Sequence, residues 1–258
     1  MGNRSILLSG QTLDGEDRLG IWKTSTLDGW WDSPEPKSDD VTRPNANGDY
    51  DTPVNYEARY ITVGGSFRAA SHELLHQAIN VFTGLVPAKS RLQVSEHGDL
   101  QWADVVRASK LTMTPVTDAL AQWQVRLKAP DSRKFGKVHI EELTGGQSRS
   151  LYHYGNTEAA PLVEIRGPVT AGYQVNSNDG RVFRVNSGIA SGSRHTIDMN
   201  DGLLRVNGRV QAGLVGQADV WKIPPGLLPS GGTLNMALRP DVATEKPAGN
   251  VYITDTYI

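Results

Sequence analysis

The density of turn signals constrains this chain most. Its 258 residues include 27 Gly and 14 Pro, and between these breakers lie short segments of alternating apolar and polar residues. Short strands joined by tight turns fit that rhythm, so the sequence predicts a mainly β protein of sandwich or barrel type. In the first half, residues 56–63 alternate and are closed by Gly64-Gly65. Segments 91–94 and 100–106 flank Glu96-His97-Gly98-Asp99, a predicted hairpin, and 110–116 with 122–128 give a second pair. In the second half, Asn178-Asp179-Gly180 separates 173–175 from 182–185, and Asn207-Gly208 separates 203–206 from 209–212. Both positions of an Asn-Gly turn tolerate positive φ, which makes it a strong hairpin signal. Leu234, Met236 and Leu238 alternate with polar or small neighbours, and Val251 with Ile253 marks a closing strand.

One helix interrupts this pattern, predicted over 71–83. Ser71 is its N-cap, because its hydroxyl can accept an otherwise unpaired first-turn amide. Leu74, Leu75, Ala78, Ile79 and Phe82 form one apolar stripe for packing on a sheet, and Gly84 follows as a stop. Between residues 129 and 150 the character changes. Residues 129–136 are polar and turn-prone, 138–143 read as a connecting strand, and Gly145-Gly146-Gln147-Ser148 reads as a flexible joint. The expected domains are therefore 1–143, carrying the helix, and 144–258, a β-sandwich without helices.

Composition excludes several functions. The net charge of −2 gives no global field for nucleic acid or anionic lipid. The absence of cysteine removes disulfides, thiolate metal sites and Cys nucleophiles. Ile6-Leu7-Leu8 is too short for a signal-peptide core or a membrane span, so synthesis and folding in a cytoplasm are expected.

His72-Glu73-Leu74-Leu75-His76 matches H-E-x-x-H, in which two helical histidines hold zinc and the glutamate serves as base. At ~100° per residue, both histidines fall beside Thr83, on the border of the polar arc of Glu73, Gln77 and Asn80. A catalytic zinc needs a third protein ligand, and the position that would extend the motif is Phe82, which cannot ligate. The expectation is a structural helix, with no metal, cofactor or catalytic residue assigned. Asp39-Asp40 and Glu141-Glu142 are adjacent carboxylates that point to opposite faces of a strand and form no acid/base couple. No Gly-x-Ser-x-Gly elbow or phosphate-binding glycine loop is present. Trp22, Trp30, Trp31 and Trp102 read as packing residues before they read as a sugar platform.

The stretch 154–168, running from Tyr154-Gly155-Asn156 through Pro161 to Gly167-Pro168, resembles the opening of the C-terminal domain in the distal tail (Dit-like) proteins of long-tailed bacteriophages. Trp221-Lys222-Ile223-Pro224-Pro225-Gly226 is similar to that family's aromatic-Pro-Gly loop. Residues 129–136 resemble its connector, and 56–65 with the following helix resemble its strand-glycine-helix passage. The resemblance implies an N-terminal β-barrel-like domain with one helix that forms a hexameric ring, and a C-terminal galectin-like β-sandwich that projects outward. It implies a non-enzymatic virion protein at the tail tip, assembled in the host cytoplasm. Its implied partners are copies of itself, the tail tube protein, a hub or fibre protein, and a receptor-binding protein or host surface glycan. Residues 252–258 are candidates for return to the first domain. Two other readings stand beside it: a carbohydrate-binding module, suggested by the implied lectin architecture, and a zinc hydrolase through His72, Glu73 and His76.

Overall fold

The computed structural model describes residues 4–37, 41–50, 54–228 and 231–258. Its chain divides into two compact units, the first running to Lys134 and including Ile258, the second spanning Phe135–Tyr257. Thr144, where the sequence places the joint, is the last residue of the strand Lys134–Thr144. Gly145 and Gly146 form a hydrogen-bonded turn inside the second unit, donating to the carbonyls of Pro247 and Leu238 at 2.8 Å each. Among the described residues no helix is long and apolar enough to cross a membrane.

Unit 1 comprises β1 (Ser5–Leu8), β2 (Gln11–Thr12), β3 (Gly15–Glu16), β4 (Gly20–Asp28), β5 (Pro36–Lys37), β6 (Asn55–Tyr56), β7 (Arg59–Ala69), α1 (His72–Thr83), β8 (Ser90–Glu96), β9 (Asp99–Arg107), β10 (Thr112–Pro115) and β11 (Leu120–Ala129). Pairing runs β3-β4-β7-β11, and the far edge of β11 is shared. Its first half pairs with β10 and its last residues with β9, which continues the curl through β8 to β1. The expected period of two is plain in β11. Ala121, Trp123, Val125, Leu127 and Ala129 enter the core, while Gln122, Gln124 and Arg126 are exposed.

Gly64-Gly65 does not close its strand; β7 runs through both residues to Ala69. The glycines permit close approach instead. A Cβ on Gly65 would lie 2.0 Å from the Lys23 carbonyl oxygen, beside a bulge in β4 where Ser25 is the extra residue between Thr24 and Thr26. The Ser71 hydroxyl accepts from the Leu74 amide at 3.3 Å, capping α1, and Leu75, Ala78 and Phe82 are buried. They join an aromatic cluster in which Trp22 meets Phe67 at 4.4 Å and both Phe82 and Trp123 at 5.8 Å. Burying each such side chain is worth roughly 1.5–3 kcal/mol, so α1 is held by its apolar stripe.

Unit 2 comprises β12 (Lys134–Thr144), β13 (Ser148–Leu151), β14 (Leu162–Arg166), β15 (Tyr173–Ser177), β16 (Val182–Val185), β17 (Arg194–Asp198), β18 (Leu203–Val206), β19 (Arg209–Val210), β20 (Val215–Ala218), β21 (Leu234–Pro240) and β22 (Ala248–Tyr257). Two sheets, ordered β19-β18-β17-β14-β22-β12 and β13-β21-β15-β16-β20, enclose one core. Val163, Ile165, Ile197, Val251 and Ile253 come from the first, and Tyr173, Val175, Phe183, Met236 and Leu238 from the second. The fold is thus mainly β, with a β-sandwich in unit 2 and a single α-helix among the described residues. The hairpin turns His97-Gly98 and Asn207-Gly208 both take positive φ, 52° and 87° in one, 48° and 86° in the other. That is the twist a two-residue turn needs.

Candidate functional surfaces

The helix presents its H-E-x-x-H residues to solvent: His72, Glu73 and His76 are all exposed. One turn apart, the two imidazoles meet at 3.0 Å between Nε2 atoms. The nearby Asp118 carboxylate faces the other nitrogen of His72, Nδ1, at 3.9 Å. Two imidazole nitrogens thus point at one another while the carboxylate lies on the opposite side of the ring. Among the described residues no group of three or more His, Asp or Glu converges on one point.

The other residues singled out in sequence are scattered. Trp22 and Trp30 are buried, Trp31 is exposed, and Trp102 lies under the Arg91 guanidinium at 3.6 Å. They form no common platform. Trp221 is only 1 % exposed, so it anchors its loop and offers no indole face to a ligand. Glu141 and Glu142 are exposed on β12, and Asp39-Asp40 lie outside the described residues.

Folding gathers polar groups that the sequence keeps far apart. In unit 1, the Arg59 guanidinium donates to the carbonyls of Gly29 (2.8 Å), Asp32 (2.5 Å) and Ser132 (3.0 Å). Lys134 donates to the Trp30 carbonyl at 2.9 Å. Burial, with Arg59 close by, pushes the Lys134 ammonium down to about 8. In unit 2, Asp255 meets His139 Nε2 at 2.9 Å and accepts from the Tyr154 amide at 2.7 Å. Tyr173 and His195 meet at 3.0 Å in the core. Burial lowers the pKa of His195, and also that of His153, whose Nδ1 accepts from the Gly155 amide. Among the described residues the hydroxyl paired with one of these imidazoles is that of Tyr173, buried in the core, and no Ser or Thr hydroxyl is paired with them in the manner of a catalytic triad.

The outer face of the β4-β7-β11-β10 sheet is the most distinctive surface. Cross-strand partners share a face, so the register fixes its rows: Lys23, Ser66, Gln122 and Thr114; then Thr26, Gly64, Gln124 and Thr112; then Asp28, Thr62 and Arg126; then Tyr60 and Lys128. Arg68 lies one row beyond Ser66. A hollow of about 580 Å³ opens over Ser25, Gly64, Ser66, Thr112 and Gln122. Beside it, one of about 520 Å³ is lined by Asp28, Tyr60, Lys110 and Arg126 among others. The reverse of the same strands carries Trp22, Phe67, Trp123 and Val125 into the core. Alternation made this legible residue by residue; the charge it collects appears only when the strands are set side by side.

No protein-family profile matches the chain, and no curated protein matches it. Solved structures do. The Dit (gp 19.1) protein of SPP1, described as a paradigm of the hub adsorption apparatus in Gram-positive infecting phages, superposes with a TM-score of 0.74. The two chains are 14% identical, with 99% of each covered. The phage P2 baseplate in its activated conformation, solved with Ca and with Sr, holds a similar chain at a TM-score of 0.51. There the identity is 10% and the coverage 98% of both.

Proposed function

We propose that this chain, which has the fold of a phage Dit protein, is a structural component of a phage tail tip. The observation that carries this reading is the likeness to the SPP1 hub protein over 99% of both chains; a sandwich domain alone would suit many functions. In this reading unit 1 closes a ring of about six identical copies at the distal end of the tail tube. Ring closure of this kind uses heterologous contacts between two different faces of each protomer. Unit 2, galectin-like in this reading, projects from the ring and supports host attachment. The partners are the tail tube protein on one side and a hub or fibre protein on the other, and the site of action is the virion. The chain performs no catalysis and needs no cofactor.

Light scattering on the purified chain, with negative-stain images of the same peak, tests this. A closed ring of about six subunits with a central channel is expected. A monomer that stays monomeric when mixed with its tail tube and hub partners would overturn it.

A further inference from the structure

We propose that the outer face of the β4-β7-β11-β10 sheet is a sequence-independent binding surface for double-stranded DNA. The face collects five cations, Lys23, Arg68, Lys110, Arg126 and Lys128, against two carboxylates, Asp28 and, in the Arg68 row at the β3 edge, Glu16. It does so in a chain whose net charge is −2. A solvated sheet face ordinarily mixes both signs, and unit 1 does so elsewhere. There Arg4 pairs with Asp14, Lys89 and Arg91 with Asp104, and Arg133 with Asp131. Among the described residues none of the five cations on this face has an ion-pair partner. Arg126 and Lys128 lie over the Tyr60 ring, and a largely one-sided cluster of Lys and Arg without carboxylate partners is the electrostatic footprint of a polyanion.

The spacing narrows the partner further. The Lys23 row and the Arg126 row lie four residues apart along β7, which is about 13 Å of strand. The major groove of DNA is ~12 Å wide, so the two cation groups can reach phosphates on opposite sides of one groove. Between them lies only the uncharged row of Thr26, Gln124 and Thr112 around Gly64, which carries no side chain. Backbone contacts of this kind position a duplex without reading its bases. The inference stands on unit 1 alone and goes beyond the tail-tip reading, since it holds whether or not copies close into a ring.

Fluorescence anisotropy with a labelled duplex of about 30 base pairs, titrated across salt, tests it. With all five cations engaged, the slope of log K on log salt is about −4.5. Affinity then falls about 500-fold between roughly 50 and 200 mM. The triple variant Lys23→Gln, Arg126→Gln, Lys128→Gln should keep its thermal midpoint and show a slope near −1.8. Arg126→Gln alone should lower the slope by about 1, and carries the test if the triple variant unfolds. Arg209→Gln, at an exposed position on β19, should bind as the parent does. Absence of binding at about 50 mM salt overturns the proposal, as does a slope that the face variants leave unchanged. Loss of self-association in the triple variant, with no DNA binding by the parent, also overturns it and assigns the face to a protein contact.

Discussion

Unit 1 and unit 2 bury polar groups of opposite kinds. Unit 1 closes around mutually touching aromatics, Trp22, Phe67, Phe82 and Trp123, and spends two cations, Arg59 and Lys134, on the carbonyls of the 29–32 turn. Unit 2 packs a largely aliphatic sandwich and buries imidazoles, His153 and His195, where unit 1 buries cations. A buried guanidinium keeps its charge and must be hydrogen-bonded, whereas a buried imidazole can stay neutral and lose its proton instead. The two units should therefore fail under different insults.

The largest test is to break each core separately. Trp22→Ala removes an indole that is 1 % exposed and whose Nε1 donates to Asp17 at 2.8 Å. It should cost about 3–5 kcal/mol. Hydrogen exchange should show β4, β7 and α1 losing protection while β14, β21 and β22 keep theirs. Trp221→Ala should give the reverse pattern, and equal loss in both units for either variant would remove the distinction. Next comes Arg59→Met, which strips the donors from three turn carbonyls and should destabilise unit 1 by about 3 kcal/mol. Chemical denaturation followed by tryptophan fluorescence measures it.

The pH response sharpens the contrast. Burial depresses the pKa of His153 and His195 below the ordinary 6.5. As pH falls below 6.5, the unfolded chain therefore takes up protons before the folded one, and unit 2 loses stability. In unit 1, burial alone would raise Asp17, but hydrogen bonds from Gln11, Trp22 and the amides of Leu19 and Gly20 outweigh it and hold it below 3.8. Asp131 is likewise held low by Arg133 against its own burial. Their contributions are lost only below that range. Hydrogen exchange near pH 5 should show unit 2 opening first, and His195→Gln should reduce the difference. Lys134 works at the other end: with a folded value of about 8 against 10.5 unfolded, it binds fewer protons when folded. Unit 1 should gain stability as pH rises across that interval, and Lys134→Met should flatten the gain.

Two smaller effects complete the series. Gly98 and Gly208 have positive φ and open space where a Cβ would stand. Gly98→Ala and Gly208→Ala should thus each cost about 1 kcal/mol through the backbone alone, read from the thermal midpoint. His72→Ala and His76→Ala, exposed on α1, should move stability by no more than about 0.5 kcal/mol. Added zinc should leave the parent's midpoint unchanged.

Much of the fold was legible because local rules act on few residues. Ser71 capping α1, the apolar stripe of Leu75, Ala78 and Phe82, and the His97-Gly98 and Asn207-Gly208 turns follow from spacing and turn chemistry. The readings that differed involve partners distant in sequence. Gly64-Gly65 reads as a stop in sequence, but the strand runs through both, and β4 passes close enough to Gly65 to exclude a Cβ there. Lys134 looked like part of a polar connector, yet its ammonium sits on the Trp30 carbonyl.

By itself, then, the sequence determined the strand rhythm, the one helix, the two-residue turns and the alternation of each strand's faces, because these depend on residues within a turn or two of one another. Tertiary structure alone decided which strands lie side by side. Lys23, Arg68, Arg126 and Lys128 become one surface through the register of β4, β7 and β11, and Asp255 on β22 meets His139 on the neighbouring strand β12. Register is set by how every buried side chain in the sheet packs at once, a condition that no short window of sequence contains.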